Sequence, residues 1–146
     1  MSLSAAILIP AYNSSDYIEA TLDSIQRQLT GYAQVTGVYL ADDCSTDDTC
    51  ELARQTWRSS VPLYILLSKR NLGQWKNVNR GFSQIHASAD WVLILHADDL
   101  VKAHWLEALL WRMQKSADSV GSICSSFDVL CQMLPSCRAR MTAIEN

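Results

Sequence analysis

In Ala5-Ala6-Ile7-Leu8-Ile9-Pro10 an apolar run stops at a proline. Both faces of the run are apolar, which predicts a strand buried on both sides, as in a parallel sheet. The turn formers Asn13-Ser14-Ser15-Asp16 follow. Then Ile18, Leu22, Ile25 and Leu29 recur at spacings of four, three and four, one stripe of an amphipathic helix. Ser14, Ser15 or Asp16 is expected to cap it, with a side-chain oxygen for its first amides.

The same unit returns three times along the chain. Val38–Ala41 is a short strand, Asp42–Asp48 a polar loop, and Cys50, Ala53 and Trp57 fall at helical spacing. Leu63–Leu67 predicts a third strand, followed by a turn at Ser68–Gly73 and a helix marked by Trp75, Val78, Phe82 and Ile85. Trp91–Leu95 predicts a fourth strand, ending at His96-Ala97-Asp98-Asp99, and Leu106, Leu109, Leu110 and Met113 mark a fourth helix. Val120–Leu130 is expected to add a fifth strand. Successive strand–loop–helix units predict an α/β fold with a mainly parallel sheet flanked by helices. The stretch 131–146 shows no period and is expected to be an irregular tail.

Composition narrows the classes. The chain has 146 residues, a net charge of −3, 49% hydrophobic and 18% charged residues. That is enough for one domain with its own core and too apolar for a disordered chain. The acidic balance gives no support for nucleic-acid binding. No apolar run approaches the roughly 20 residues of a membrane span. Five cysteines, an odd number with no Cys-x-x-Cys pair, argue for reduced thiols rather than a disulfide framework or zinc site. The expected setting is the cytoplasm.

In open α/β sheets, ligands bind beyond the carboxyl ends of the strands. The polar clusters fall there: Pro10–Asn13, Asp42-Asp43, Asn71–Gly73 and His96–Asp99. Two adjacent carboxylates such as Asp98-Asp99 repel each other at a sheet edge, and a divalent cation relieves that repulsion. The same pair also suits a solvated turn that caps a helix. Asp42-Asp43 is open to the same two readings, and Ser45–Asp48 is rich in capping residues. His86, His104, Trp57, Trp105 and Trp111 read as boundary or packing residues. Phosphate loops of the GxxxxGK[ST] and GxGxxG types are absent, as is a GxSxG elbow.

Taken together, Ile7–Asn13, Leu40–Thr49, Asn71-Leu72-Gly73 and Leu95–Asp99 resemble, in order and spacing, a family 2 glycosyltransferase of the inverting GT-A type. The resemblance runs over about residues 5–130. It implies that 1–130 is a nucleotide-sugar-binding domain, the N-terminal part of a longer catalytic domain. It implies that Pro10, Ala11 and Tyr12 border the nucleobase beside Asn13, and that Asp43, with Asp42 next to it, meets the base N–H. Asn71, Gly73 and Asn79 match the segment that approaches the sugar-nucleotide. The family often has an arginine where Val78 stands, so the positive charge falls to Lys76 or Arg80. Ala97 and Asp98 would contact the donor. His96, Asp98 and Asp99 match the metal segment, with His96 in the place of its first aspartate, and imply Mn²⁺ or Mg²⁺.

The implied reaction is transfer of a sugar, from a UDP-sugar above all, to an acceptor hydroxyl of a saccharide or lipid-linked acceptor with inversion. The implied site of work is peripheral, at the inner membrane face. The family's catalytic base lies further along than any acidic pair here. Glu107, Asp118, Asp128 and Glu145 do not match it, so no catalytic residue is assigned. The alternative is a truncated, non-catalytic nucleotide-sugar-binding module.

Overall fold

A computed structural model describes residues 4–29, 34–85 and 89–115. The elements alternate throughout: β1 (Ala5–Ala11), α1 (Ile18–Gln26), β2 (Val35–Asp42), α2 (Thr49–Thr56), β3 (Leu63–Leu67), α3 (Gln74–Gln84), β4 (Trp91–Ile94) and α4 (Trp105–Lys115). The four described strands form one sheet in the order β3-β2-β1-β4, with every pairing parallel. The α/β expectation therefore holds. The expected fifth strand, His86, Cys124, Cys131, Cys137 and the tail 131–146 lie outside the described residues. Among the described residues, no helix is long and apolar enough to cross a membrane.

β1 runs through Pro10 to Ala11, rather than ending at the proline. The geometry allows this. Leu8 O accepts from Leu95 N and Ala11 O from Asp43 N, so even positions of β1 face β4 and odd ones face β2. The last β1–β4 pair is Leu8 with Ile94. The N–H that Pro10 lacks would point where the β4 ladder has already ended.

The two sheet faces are filled differently. Ile7, Ile9, Leu40 and Leu93 pack with Ile18, Leu22 and Ile25 of α1 and with Leu106, Leu109, Leu110 and Met113 of α4 in one buried cluster. Those helix stripes are the ones the sequence predicts, because bulky side chains fill the space between helix and sheet. On the opposite face α3 lies close. A Cβ on Gly81 would come within 2.6 Å of Leu8 Cδ1 and 3.0 Å of the Ala41 Cβ. The buried residues of α3 are Asn77 and Gly81, while Trp75 and Phe82 are 79% and 54% exposed. The stripe that marks α3 in the sequence thus includes side chains turned to the surface. The Gly81→Ala variant is expected to lose about 1–3 kcal/mol from overpacking. Urea unfolding checks it, and an unchanged midpoint would refute the close approach.

Candidate functional site

The strand order reverses direction between β1 and β4, and a crevice opens there at the carboxyl edge of the sheet. It forms a cleft of about 430 Å³ lined by Pro10, Ala11, Tyr12, Asn13, Ser14, Tyr17, Asp43, Asn71, Gly73, Gln74, Asn77, His96, Ala97 and Asp98. Loops after all four strands contribute. Of the residues expected from the sequence, Asp42, Lys76, Asn79 and Asp99 are not in this lining. Ser14, Tyr17, Gln74 and Asn77 are in it without having been expected. Gln74 and Asn77 do carry a sequence signal: they stand about one helical turn apart just after Gly73, at the start of α3.

Asp43 is buried, and its carboxylate is the anchor of the third loop. Oδ1 accepts from Leu72 N at 2.8 Å and Oδ2 from Gly73 N at 2.8 Å. Asn71 Oδ1 also accepts from Gly73 N at 3.0 Å. Gly73 has φ +81°, a conformation that a side chain would strain. Each Asp43 oxygen keeps a further lone pair for a ligand N–H.

Asp42 is turned away from the cleft. Its Oδ2 accepts from Ser45 N at 3.0 Å, and its Oδ1 is buried with no hydrogen-bond partner among the described residues. Burial, then the Asp42 charge, pushes the Cys50 thiol up to about 11, so Cys50 stays a neutral thiol at physiological pH. Arg80 is equally committed. Its Nη2 donates to Asp42 O (3.0 Å), Leu66 O (2.9 Å) and Asn77 Oδ1 (2.8 Å), clamping α3 to the ends of β2 and β3. Asn77 Nδ2 donates to Ala41 O at 2.7 Å. Lys76 is exposed on α3.

A polar lattice ties the first two loops together. Asn13, at φ 47°, donates its N–H to Ser45 Oγ at 2.9 Å and accepts from Thr46 N at 2.8 Å. Ser14 N donates to Thr49 Oγ1 at 2.7 Å, and Ser15 N to Asp47 Oδ2 at 3.0 Å. Cys44 adopts φ 66° in the same loop. Burial by itself would raise the Asp47 pKa. The Thr49 hydroxyl and the Ser15 and Thr49 amides outweigh it and hold Asp47 at about 2. A carboxyl with a depressed folded-state pKa contributes stability above its unfolded value, and the contribution is lost as pH falls toward 2. Stability is thus expected to fall between about pH 5 and pH 2. The Asp47→Asn variant should be less stable at pH 7 and show a shallower acid loss. Equal slopes in acid titrations of the two proteins would refute this.

The segment after β4 is held by α1 and by Gln28 just beyond it. Thr21 Oγ1 donates to Ala97 O at 2.9 Å, Val101 N to Ser24 Oγ at 3.2 Å, and Gln28 Nε2 to Lys102 O at 3.0 Å. Gln28 Oε1 also accepts the amide of Leu106 in the first turn of α4, at 3.0 Å. His96 and Asp98 are thereby aimed into the cleft. His96 Nδ1 lies 3.4 Å from Gln74 Nε2. Asp98 is exposed, and no protein group among the described residues binds its carboxylate. Asp99 donates its N–H to His96 O at 3.1 Å, closing the turn, with its side chain in solvent. Among the described residues there is no cluster of three or more potential metal ligands.

Comparison with known proteins agrees with this architecture. The model of glycosyl transferase family 2 matches residues 6–130. The succinoglycan biosynthesis protein ExoA of Rhizobium meliloti (strain 1021) is 30% identical over 120 residues, 82% of this chain and 36% of that protein. Glycosyltransferase GlyG of Streptococcus pneumoniae serotype 4 is 28% identical over 121 residues, 82% of this chain and 38% of GlyG. The chain thus spans well under half the length of these relatives. Among solved structures, S. aureus TarS 1–349 in complex with UDP-GlcNAc matches with a TM-score of 0.68 and 25% identity, covering 77% of this chain and 32% of that one. The mannosyltransferase PcManGT from Pyrobaculum calidifontis, in complex with GDP-Man and Mn²⁺, matches at 0.64 with 27% identity, covering 73% and 31%. A parallel sheet with its cleft at the β1/β4 crevice, and a family match over most of its length, place this chain in glycosyl transferase family 2.

Proposed function

We propose that the chain is the donor-binding portion of an inverting glycosyltransferase that takes a nucleotide-sugar, preferentially a UDP-sugar, and passes the sugar to a saccharide or lipid-linked acceptor hydroxyl. The observation that carries the reading is the convergence of the post-strand loops in one cleft of about 430 Å³, a size suited to a small-molecule ligand. In this reading the Tyr12 ring and the main chain of Pro10 and Ala11 border the base. Asp43 accepts the base N–H with a lone pair not used by the loop. Gly73 lets the backbone come close to the diphosphate. The complexes of TarS with UDP-GlcNAc and of PcManGT with GDP-Man support a nucleotide-sugar as the ligand class.

The donor set suits one divalent cation, Mn²⁺ or Mg²⁺. Asp98 offers an uncommitted carboxylate and His96 an imidazole, both in the cleft lining. Such ions are commonly held by one or two carboxylates plus substrate phosphates, so a two-residue set is sufficient. When bound, the ion would offset charge developing on the diphosphate leaving group. Asp99 would act through the turn that orients Asp98.

A binding-only reading of the described residues is favoured by one fact. The cleft carboxylates are Asp43 and Asp98, the first engaged with loop amides and the second needed for the cation, which leaves no base for the acceptor. Calorimetry with UDP, with and without Mn²⁺, tests donor binding; absence of binding under both conditions would overturn the proposal. A radiolabelled sugar-transfer assay separates the two readings, with binding but no turnover favouring the module. The proposed setting is the cytoplasmic membrane surface, as a peripheral protein.

A further inference from the structure

One side-chain contact joins α3 to the segment after β4 across the cleft lining. Gln74, the first residue of α3, places its Nε2 3.4 Å from His96 Nδ1. Both residues line the cleft. The other ring nitrogen of His96, Nε2, has no partner among the described residues.

Neither backbone is free to drift. Gly73 N, one residue before Gln74, donates to the buried Asp43 carboxylate at 2.8 Å, and Asn77 N donates to Gly73 O at 3.0 Å. Around His96, Leu95 N donates to Leu8 O at 3.0 Å, Asp99 N to His96 O at 3.1 Å, and Thr21 Oγ1 to Ala97 O at 2.9 Å. The Gln74–His96 separation is at the long end for a hydrogen bond, so the anchored backbones, rather than the bond itself, bring the two groups together.

The chemistry of the pair is specific. A neutral imidazole carries one N–H, and what Nδ1 does decides what Nε2 can do. Where Nδ1 accepts from an amide N–H, Nε2 keeps the proton and cannot ligate a cation. Where Nδ1–H donates to an amide oxygen, Nε2 has a lone pair. A glutamine amide turned by half a rotation offers its oxygen or its nitrogen in the same place, so Gln74 serves either state of the ring. A histidine that ligates a metal almost always donates its other N–H to an acceptor of this kind.

We propose that Gln74 is a positioning residue for His96: it holds the ring at Nδ1 and, when a cation is present, accepts Nδ1–H so that the Nε2 lone pair is free for the ion. The proposal rests on the cation reading of His96 given above, and Gln74 acts only through that ring.

Nitrogen-15 NMR of the histidine rings tests it at about pH 8.5, where imidazole is neutral. The His96→Asn variant identifies the signal. In the cation-free chain, Gln74→Glu should shift His96 to the Nδ1–H form, because a carboxylate only accepts. Gln74→Met, similar in length but without an amide, should not. Adding Mg²⁺ and UDP to the wild type should produce the same Nδ1–H form. In calorimetry, the increment in UDP affinity that Mn²⁺ provides should fall about tenfold in Gln74→Met. Pulsed EPR of the Mn²⁺–UDP complex should show a nitrogen coupling that is lost in His96→Asn, weakened in Gln74→Met and kept in Gln74→Glu. That coupling separates ligation by His96 from the added charge of the glutamate. Unfolding midpoints check that each variant is folded. A His96 ring that does not respond to Gln74→Glu would overturn the pairing. A wild type without nitrogen coupling, or a Gln74→Met variant with full coupling and a full Mn²⁺ increment, would overturn the positioning role. Failure of the donor reading looks different: the wild type binds no UDP, and the ring signal of the cation-free chain then upholds or overturns the pairing by itself.

Discussion

The Asp43→Asn variant is expected to lose about 2–3 kcal/mol of stability and at least tenfold in UDP affinity. The carboxylate is buried and accepts two amide hydrogen bonds, from Leu72 and Gly73, both at 2.8 Å. Asparagine has the same shape but turns one acceptor into an N–H₂ donor. One loop amide then faces a donor where the carboxylate was buried, and the cost of an unsatisfied group applies. The affinity loss has two parts: displacement of the loop that carries Asn71 and Gly73, and loss of the acceptor proposed for the base. Thermal unfolding and calorimetry read the two separately. Unchanged stability would refute the anchoring role; unchanged UDP affinity in a variant with lowered stability would remove Asp43 from the donor site.

The Asp98→Asn variant should behave in the opposite way. Its carboxylate is exposed and bonded to no protein group among the described residues, so stability should stay within about 0.5 kcal/mol of wild type. The increment in UDP affinity that Mn²⁺ provides should fall by about ten- to a hundredfold, because amides ligate hard cations poorly beside carboxylates. Without metal, the two proteins should bind UDP alike. Asp99→Asn should show a smaller loss, since Asp99 lies outside the cleft lining and reaches the site through the turn at His96 O. A full Mn²⁺ increment in Asp98→Asn would show that the cation is held elsewhere.

The contrast between Asp43 and its neighbour Asp42 shows why adjacent motif residues are hard to tell apart in a sequence. Asp42 and Asp43 are chemically identical and contiguous, yet one faces the cleft and the other caps Ser45 beside Cys50. Side chains alternate at the end of a strand, so which carboxylate meets the ligand depends on the register of β2 against β1. Lys76 and Arg80 pose the same problem on α3. Their charge is visible in the sequence, but Arg80 is consumed by two strand-end carbonyls and the Asn77 side chain, and Lys76 projects from the helix. The buried positions Asn77 and Gly81 do not register as an apolar stripe. A glycine that lets α3 approach Leu8 and Ala41 leaves no hydrophobic signal of its own.

Apolar periodicity and turn residues act locally, so the alternation of strands and helices, the parallel sheet and the sites of the loops are legible in the chain alone. Its polar clusters placed Pro10–Asn13, Asp43, Asn71, Gly73 and His96–Asp98 near one rim. Which atoms remain free on that rim depends on contacts made only in the folded chain. Asp43 is half spent on the Leu72 and Gly73 amides, Asn13 braces the Ser45–Thr46 turn, and Asp98 is left open by the hold of Thr21 on Ala97. Hydrogen bonds between residues tens of positions apart set those commitments, and their partners become neighbours only when the sheet has formed.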